Sequence, residues 1–549
     1  MNENVKVVFG LIGGLALFLF GMNSMSDALQ KAAGEKMKKI LGFLTRNPVM
    51  GALAGALVTA VLQSSSATTV MVIGFVSAGL MSLPQAISVI FGANIGTTMT
   101  AQLMAFKISN YIYPIIFIGF MLNFVGKKEK VKNIGMVIFS FGLLFEGIEI
   151  MGEVMKPLAG SPVFVDLMGK VSSVPVLGVV LGAVMTLVVQ SSSATIAVLQ
   201  NFASQAGPDG VSSVIGLTGA IPILLGDNIG TTITALLASI GQSKNAKRTA
   251  IAHSIFNISG SCVFIFLIPW FAKFVQFISP KGNEVDVISR QIANAHTTFN
   301  IVCTLVWLPL IPLMVKIVTT IIRGDDKVQK TAFEPKYLDM KVVEQPAAAM
   351  VLVSKELDRL SELAESLLTG LKASLTADKT SETYLHFKEN LEIVQHLQES
   401  VSDYITRLFS SGNLTEQQSE YTAGLLFINN CIQRIAERCV DVDKICMEIS
   451  DSGKVLTKEA SAEMENCIDV FKNKKKMQKA EKKFNKAHLN RVKNNLCDAS
   501  MTGYFSGIIY NIDRMADNCV GIAEEACDNV TFISLDEEAN KTVAEGGAV

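Results

Sequence analysis

The chain changes character near residue 323, where long apolar runs give way to a charged pattern. Before that point each apolar run is roughly long enough to enter or cross a ~30 Å hydrocarbon core, and Gly and Pro separate the runs. After it, apolar residues recur at helical spacing among Lys, Glu and Asp, as in Leu357 and Leu360. The pattern predicts an all-α protein with a polytopic membrane domain at 1–323, a linker at 324–346 and a soluble helical domain at 347–549.

Composition supports the membrane assignment. Half of the 549 residues are hydrophobic, 18% are charged and the mean hydropathy is +0.39, values typical of a membrane protein. The formal net charge is −1, so nucleic acid is not expected as a partner. One basic segment, 472–493, has ten Lys or Arg against one acid. It is either a solvated helix face or a contact with anionic lipid or a partner.

Two features predict that the soluble half is cytoplasmic. Seven of the nine cysteines lie in that half with spacing that fits no zinc site, which predicts reduced thiols in a reducing compartment. The loops 31–46 and 127–132 hold five and four Lys or Arg, against two in 153–170, so the first two loops are expected to face the cytoplasm. We therefore predict a multi-pass protein of the inner (plasma) membrane.

The membrane half contains an internal repeat. QSSSATT at Gln63–Thr69 returns as QSSSATI at Gln190–Ile196, and GANIGTT at Gly92–Thr98 returns as GDNIGTT at Gly226–Thr232. FLFGM at Phe18–Met22 is repeated as FSFGL at Phe139–Leu143. These echoes predict two related halves, at about 5–126 and 133–322.

The polar QSSS motifs lie in apolar surroundings. The sixty residues 47–106 contain no charged side chain. Small residues alone would fit helix packing, but packing does not need a Gln or an Asn. A non-helical backbone inside lipid requires protein or a water-filled cavity around it, so each motif predicts the tip of a re-entrant hairpin. Half-helix N-termini and hydroxyls suit an oxyanion, and oxygen atoms suit a cation bound beside it.

The paired motifs resemble the type II sodium/phosphate cotransporters over about 10–322. The resemblance implies two inverted repeats around one site and a sodium-coupled phosphate symporter that works by alternating access, with Na⁺ co-transported. It assigns phosphate binding to Gln63, Ser64, Ser65, Ser66, Asn94, Gln190, Ser191, Ser192, Ser193 and Asn228. It also implies sodium binding by Ser65, Thr68, Thr69, Ser192 and Thr195, and to these we add Asp227, the one carboxylate within the motifs. Asp227 is either a cation ligand or the cap of a helix that begins at Asn228.

A further echo, AHSIFN and AHTTFN, contains His253 and His296. A histidine titrates near neutral pH, so the pair is either linked to protons or serves as hydrogen-bonded fasteners between helices. The sequence leaves both readings open.

The soluble half also contains a duplication. Residues 430–445 and 511–526 mirror each other, and the second copy resembles the signature helix of PhoU proteins, which are tandem three-helix bundles associated with control of phosphate uptake. The resemblance covers about 347–533. It implies a divalent or transition metal at Asp513 and Asp517, which share one helical face. The alternative is a solvated acidic and basic face.

We therefore predict a sodium-coupled phosphate symporter with a PhoU-like regulatory domain and no enzymatic activity. Its partners are inorganic phosphate, sodium and the lipid bilayer, and its assembly is either a monomer or a homodimer. Two alternatives keep the same site: a phosphate sensor that signals without transport, and a phosphate exporter. An intramembrane enzyme with a motif Ser as nucleophile would need a general base, and neither motif contains a His or Lys.

Overall fold

The chain is helical throughout the part that the computed structural model describes, which confirms the predicted all-α class. The described residues are 3–33, 47–106, 108–159, 170–171, 173–207, 209–324, 332–375, 379–412, 414–470 and 473–528. Among them no strand is present, and one isolated bridge joins Ala206 to Ser213. The chain divides into two compact units, Met1–Lys327 and Val328–Ser534, which we call the membrane unit and the bundle unit.

Twelve α-helices are described in the membrane unit. They are α1 (Glu3–Ala33), α2 (Pro48–Leu62), α3 (Ser65–Ser77), α4 (Leu83–Met104), α5 (Ile112–Val125), α6 (Glu129–Ala159), α7 (Pro175–Val189), α8 (Ser192–Ala203), α9 (Gly216–Ala238), α10 (Lys244–Ile278), α11 (Glu284–Trp307) and α12 (Ile311–Ile321), with a short 3-10 helix at Ser109–Tyr111. Among the described residues four helices, α1, α6, α9 and α10, are long and apolar enough to cross a membrane. The number rises to six if the bent pairs α4 with α5 and α11 with α12 each form one span.

Large apolar side chains cover the outside of this unit. Phe266 and Phe277 on α10 are 79% and 81% exposed, and Trp270 on the same helix is 67% exposed. A soluble protein rarely exposes so much contiguous apolar surface. A lipid environment accounts for it, so the unit is a multi-pass membrane domain.

Each repeat contains two short helices followed by a longer one. Helices α2, α3, α7 and α8 have 15, 13, 15 and 12 residues. At ~1.5 Å per residue, none of them reaches across a ~30 Å hydrocarbon core. The longer helices α4 and α9 follow and carry the GANIGTT and GDNIGTT motifs.

Glycines let α2 approach α4 closely in the first repeat, and α7 approach α9 in the second. A Cβ at Gly92 on α4 would lie 1.7 Å from the Ala52 carbonyl oxygen on α2. In the second repeat a Cβ at Gly226 on α9 would lie 1.9 Å from the Val179 carbonyl oxygen on α7. Backbones meet this closely only where small residues line both helices. The repeated glycines therefore serve packing as well as marking the repeat.

The helices that open the two repeats, α1 and α6, pack against each other in opposite directions. Gly14 meets Gly147 and Met151, whereas Gly21, further along α1, meets Leu144, which precedes them on α6. Contacts that run forward on one helix and backward on the other define an antiparallel pair.

Six α-helices are described in the bundle unit. They are α13 (Pro346–Ser374), α14 (Glu382–Ser410), α15 (Glu416–Asp451), α16 (Lys458–Val470), α17 (Lys474–Lys493) and α18 (Thr502–Asp528), with 3-10 helices at Met340–Val342 and Ala499–Met501. Leu357, Leu360 and Leu367 on α13 are fully buried in one continuous core. The two duplicated segments lie in α15 and α18, which pack against each other.

Residues 332–345, at the end of the predicted linker, pack against the bundle unit. The Tyr337 backbone N–H donates to Glu356 Oε2 at 2.7 Å, and Arg359 donates to Glu356 Oε1 at 2.7 Å. Glu356 is fully buried and pairs with Arg359 within α13. The segment is anchored by the Tyr337 bond to Glu356 and by the bond from Arg359 to the Ala332 carbonyl oxygen at 2.7 Å. Residues 325–331 lie outside the described part of the chain.

None of the nine cysteines, all of which lie among the described residues, forms a disulfide. Burial raises the pKa of the Cys446 thiol to about 12, and burial also raises the pKa of Cys439. Both are core thiols without the low pKa that a reactive cysteine requires.

Candidate functional site

The two QSSS motifs form turns with the same backbone geometry. Gln63 and Gln190 each end a helix in the left-handed region, with φ of 51° and 58°. The next residues, Ser64 and Ser191, cap α3 and α8 by accepting hydrogen bonds from backbone amides. A left-handed Gln costs of order ~1 kcal/mol or more, so its presence at both turns indicates a constraint beyond folding.

The two glutamine side chains differ in their surroundings. Gln63 is buried, its Nε2 donates to the Ala60 carbonyl oxygen at 2.5 Å, and its Oε1 accepts from the Thr100 hydroxyl at 2.8 Å. Gln190 is exposed, and its Nε2 donates to the Leu187 carbonyl oxygen at 2.9 Å. The first turn is therefore tied to α4, while the second has its amide oxygen available.

A pair of threonine hydroxyls braces each hairpin. Thr59 donates to Thr68 at 2.8 Å in the first repeat, and Thr186 lies 3.0 Å from Thr195 in the second. In the second repeat alone, Thr186 also donates to Asp227 Oδ1 at 2.6 Å. Asp227 is fully buried, and its Oδ2 has no hydrogen-bond partner in the described part of the chain.

The Asn of each GxNIGTT motif is held by a His and an Asn from the AHxxFN echoes. Asn94 Oδ1 lies 3.2 Å from His253 Nε2 and 3.4 Å from Asn257 Nδ2, and both partners are on α10. Asn228 Oδ1 lies 3.3 Å from His296 Nε2 and 3.4 Å from the Nδ2 of Asn300 on α11. The two histidines thus act as fasteners between helices, one of the two readings of the sequence.

The hairpins reach across to the opposite repeat. Helix α3 packs against α9, and α8 packs against α4. At the first tip the Ser66 hydroxyl lies 3.1 Å from the Thr234 hydroxyl, and Thr234 occupies the position in α9 that Thr100 occupies in α4. Among the described residues no hydrogen bond joins a hydroxyl of the second QSSS motif to the first repeat. The two tips are therefore not in equivalent states.

The remaining predicted site residues lie beside these turns. Ser65 and Ser192 are the first residues of α3 and α8. Thr69 and Ser193 are buried, and the Thr69 hydroxyl has no partner in the part of the chain that the structure describes. Asp227 lies inside α9 and does not cap it, since the helix begins at Gly216.

The predicted metal site in the bundle unit is not supported. Asp513 and Asp517 share a face of α18, but Lys474 Nζ lies 2.7 Å from a carboxylate oxygen of each, and Arg514 also pairs with both. Within the described residues no group of three or more His, Cys, Asp or Glu is placed to hold a metal. The acidic pair instead belongs to an ion-pair network with basic residues, in which Asp513 is buried rather than solvated.

Sequence reasoning missed several residues that complete the site. Thr59 and Thr186 occupy matched positions of the two repeats, as do Thr100 and Thr234, but the sequence assigns none of them to the site. The signal in the sequence is that each of these residues lies at the same distance from the repeated motif in both repeats. Which Asn each His would contact could not be read from the chain.

Comparison with known proteins identifies a family. The model of the Na⁺/Pi-cotransporter family matches twice, at residues 17–153 and 146–279. YqeW of Bacillus subtilis (strain 168), an uncharacterized protein, is 34% identical over 266 residues, which are 48% of this chain and 84% of that protein. No solved structure is significantly similar to the chain.

Two further relatives have names that describe transport. The putative inorganic phosphate export protein YjbB of Escherichia coli (strain K12) is 22% identical over 80% of this chain and 78% of its own length. The sodium-dependent phosphate transport protein 2A of Rattus norvegicus is 38% identical over 97 residues, which are 17% of this chain and 15% of that protein.

Proposed function

The chain belongs to the Na⁺/Pi-cotransporter family, and on that premise we propose that it moves inorganic phosphate and sodium together across a membrane by alternating access. The family transports phosphate and is not an enzyme family, which confirms the prediction that the chain is not an enzyme. Sodium coupling, the direction of transport and the role of the bundle unit belong to the proposal.

The observation that carries the proposal is the pair of matched QSSS turns. Each brings a left-handed Gln, a capping Ser and a helix N-terminus to a break between two short apolar helices. Free amides and hydroxyls at such a break suit a phosphate oxyanion. Neither motif contains Lys or Arg, so bound cations would offset the phosphate charge, which is a physical reason for coupling.

The packing of α1 against α6 supports inverted repeats. Helices that open two equivalent halves and run antiparallel fit a two-fold axis in the membrane plane. The short lengths of α2, α3, α7 and α8 support re-entrant hairpins. Both features would place the two QSSS turns near the middle of the membrane.

We place a sodium ion at Asp227. A buried carboxylate with an unpartnered oxygen is costly in the membrane unless a cation accompanies it. Thr186 and Thr195 hydroxyls lie beside it. The first repeat has Ala93 at the corresponding position, so this ion would belong to the second repeat only.

The difference in hydrogen bonding between the two QSSS turns suggests how the site alternates between the two sides of the membrane. In this state Ser66 contacts Thr234 and Gln63 contacts Thr100, so the first tip is locked onto both helices that carry the GxNIGTT motifs. The second tip has no such bond in the described chain. A transport cycle would exchange these roles between the tips.

Export is a second candidate for the net direction. The Escherichia coli relatives that cover four fifths of this chain are named as putative phosphate export proteins. The site is compatible with both directions, because the gradients of sodium and phosphate decide the direction of a symporter.

The bundle unit is proposed to be a cytoplasmic, PhoU-like regulator. Its six helices form two consecutive groups of three, and the duplicated segments occupy the third helix of each group. This matches a tandem three-helix bundle. The inner membrane is the proposed location.

The decisive experiment measures labelled phosphate uptake by the full chain in proteoliposomes. An inward sodium gradient is compared with an equal potassium gradient, and outward gradients test export. We expect flux with sodium only, and Gln63→Ala should abolish it, whereas Gln30→Ala, outside the motifs, should not. Equal flux in sodium and potassium would overturn the coupling, and normal flux in both Gln63→Ala and Gln190→Ala would overturn the site.

A further inference from the structure

A second polar cavity lies in the membrane unit, at the far end of α8 from the QSSS turn. It has a volume of about 520 Å³, and α6, α8, α11 and the turn after α4 surround it. Gln200, in its lining, is eight residues beyond Ser192, the first residue of α8, which places it ~12 Å along the helix from the turn. The transport site described above does not include its lining residues.

Gln200, one of the lining residues of this cavity, has a buried side-chain oxygen without a partner among the described residues. Its Nε2 donates to the Ala101 carbonyl oxygen at 3.1 Å and to the Ser289 carbonyl oxygen at 2.9 Å. These two acceptors fix the orientation of the amide, because only the nitrogen can donate to them. Gln200 is 3% exposed, and its Oε1 has no hydrogen-bond partner among the described residues. A buried acceptor without a donor calls for a ligand.

The side-chain amides of the neighbouring lining residues Asn201 and Gln205 also donate to backbone carbonyls. Asn201 Nδ2 donates to the Ile148 carbonyl oxygen at 2.6 Å. Gln205 Nε2 donates to the Asn201 carbonyl oxygen at 3.2 Å and to the Gly152 carbonyl oxygen at 3.4 Å. Backbone carbonyls are therefore the nearest acceptors for these amide hydrogens, and Gln205 Nε2 also lies 3.5 Å from Asn201 Oδ1. The lining thus contains the amide oxygens of Gln200, Asn201 and Gln205 as hydrogen-bond acceptors.

The charged residues that line the cavity also favour a cation over an anion. Glu149 and Glu153 are four residues apart on one face of α6, and Asp286 lies on α11. Lys156 is the basic residue in the lining. Three carboxylates against one ammonium group attract cations and repel phosphate.

The other repeat shows that the fold does not need these groups. Alignment on the QSSS motifs and on the FLFGM and FSFGL motifs gives the positions that correspond to the two glutamates and the three amides. In the first repeat they are all without polar side chains: Ala28, Ala32, Ile73, Gly74 and Ala78. The oxygen lining is therefore an addition of the second repeat.

We propose that this cavity binds a sodium ion and delivers it to the transport site. Carboxylate and amide oxygens are the ligands of hard cations, and a negative mouth raises the local cation concentration. The proposal rests on the sodium-coupled function above. In this proposal sodium reaches the transport site from the C-terminal end of α8. The carboxylates at that end repel phosphate from the same path.

The test is direct binding of ²²Na⁺ to the purified full chain. Glu149→Gln combined with Glu153→Gln should weaken apparent sodium affinity about tenfold, because the local field that concentrates cations is lost. Both positions are exposed, so folding should be unaffected. Glu146→Gln, on the same helix but outside the lining, should leave the isotherm unchanged, and Lys156→Gln should tighten it.

The outcomes separate this inference from the proposed function. An isotherm of the double variant that superimposes on the wild type would overturn the cavity site, even if transport is sodium-driven. Weakened binding by the double variant with no sodium-driven flux in the wild type would support the cavity site and overturn symport. Displacement of ²²Na⁺ by micromolar Ca²⁺ would overturn the sodium assignment in favour of a divalent cation.

Discussion

The substitution Gly92→Ala tests the close contact on which the first half-site depends. A Cβ at this position would lie 1.7 Å from the Ala52 carbonyl oxygen, with the Ala52 carbonyl carbon at 2.5 Å. Ordinary van der Waals contact begins at 3.4 Å, and the obstacle is backbone, which has no rotamer that could move aside. Helices α2 and α4 would therefore have to separate by roughly 1.7 Å.

That separation has a computable effect on the site. Gln63 at the end of α2 accepts from Thr100 on α4 at 2.8 Å, so an added 1.7 Å along this bond would exceed any hydrogen-bond distance. Overpacking costs about 1–3 kcal/mol of unfolding free energy. We expect a folded but less stable protein whose phosphate flux falls far more than its stability.

The assay is thermal unfolding in detergent together with sodium-driven phosphate uptake. Gly13→Ala on α1 is the matched control, because a Cβ there meets nothing within 4 Å. It should keep wild-type flux and gain slightly in stability from the helix propensity of Ala. Wild-type stability and flux in Gly92→Ala would refute the contact and the role assigned to it.

Three further predictions concern buried polar groups. Sodium at 100 times its Kd should raise the unfolding free energy of the wild type by about 2.7 kcal/mol, measured against choline chloride, and Asp227→Asn should lose this gain; an equal gain in the variant would remove Asp227 as a ligand. His253→Phe removes one of the two partners of Asn94 Oδ1, leaving only the longer bond from Asn257, and should cost about 1–3 kcal/mol of stability, with slower uptake; unchanged unfolding and uptake would argue against the fastener role. Burial lowers the pKa of Lys474, but hydrogen bonds to two aspartates outweigh it and raise the pKa above its ordinary value. The contribution of this ion pair to the free energy of unfolding is therefore complete below pH ~10.4, and it is lost as the pH rises through the pKa of Lys474 in the folded protein. Lys474→Met should flatten this loss in unfolding scans, and a wild-type profile would contradict the ion pair.

Several predictions from the sequence hold because they depend on local chain properties. The all-α class follows from apolar runs and helical spacing, and both are confirmed in the described helices. The breaks at Gln63 and Gln190 follow from polar residues that interrupt apolar helices, and both turns have the geometry of a helix end followed by a capped helix start. The repeat predicted that the two turns would be alike in backbone.

Other predictions could not be settled by pattern alone. Asp513 and Asp517 share a helix face, as their spacing requires, but the chain could not show that Lys474 on another helix would lie between them. The equal motifs also gave no sign that Gln63 would be buried and Gln190 exposed. Each of these outcomes depends on side chains that approach from elsewhere in the chain.

The sequence by itself determined that the protein enters a membrane, that its membrane half is duplicated and where its helices break. Those properties depend on the length of apolar runs and on residues that end helices, which act over a few turns of chain. Only the tertiary structure decided that Asn94 meets His253 across 159 residues and that Ser66 meets Thr234 across 168. Such contacts depend on how helices cross, and close crossing depends on glycines in both partners at once, which no local pattern can specify.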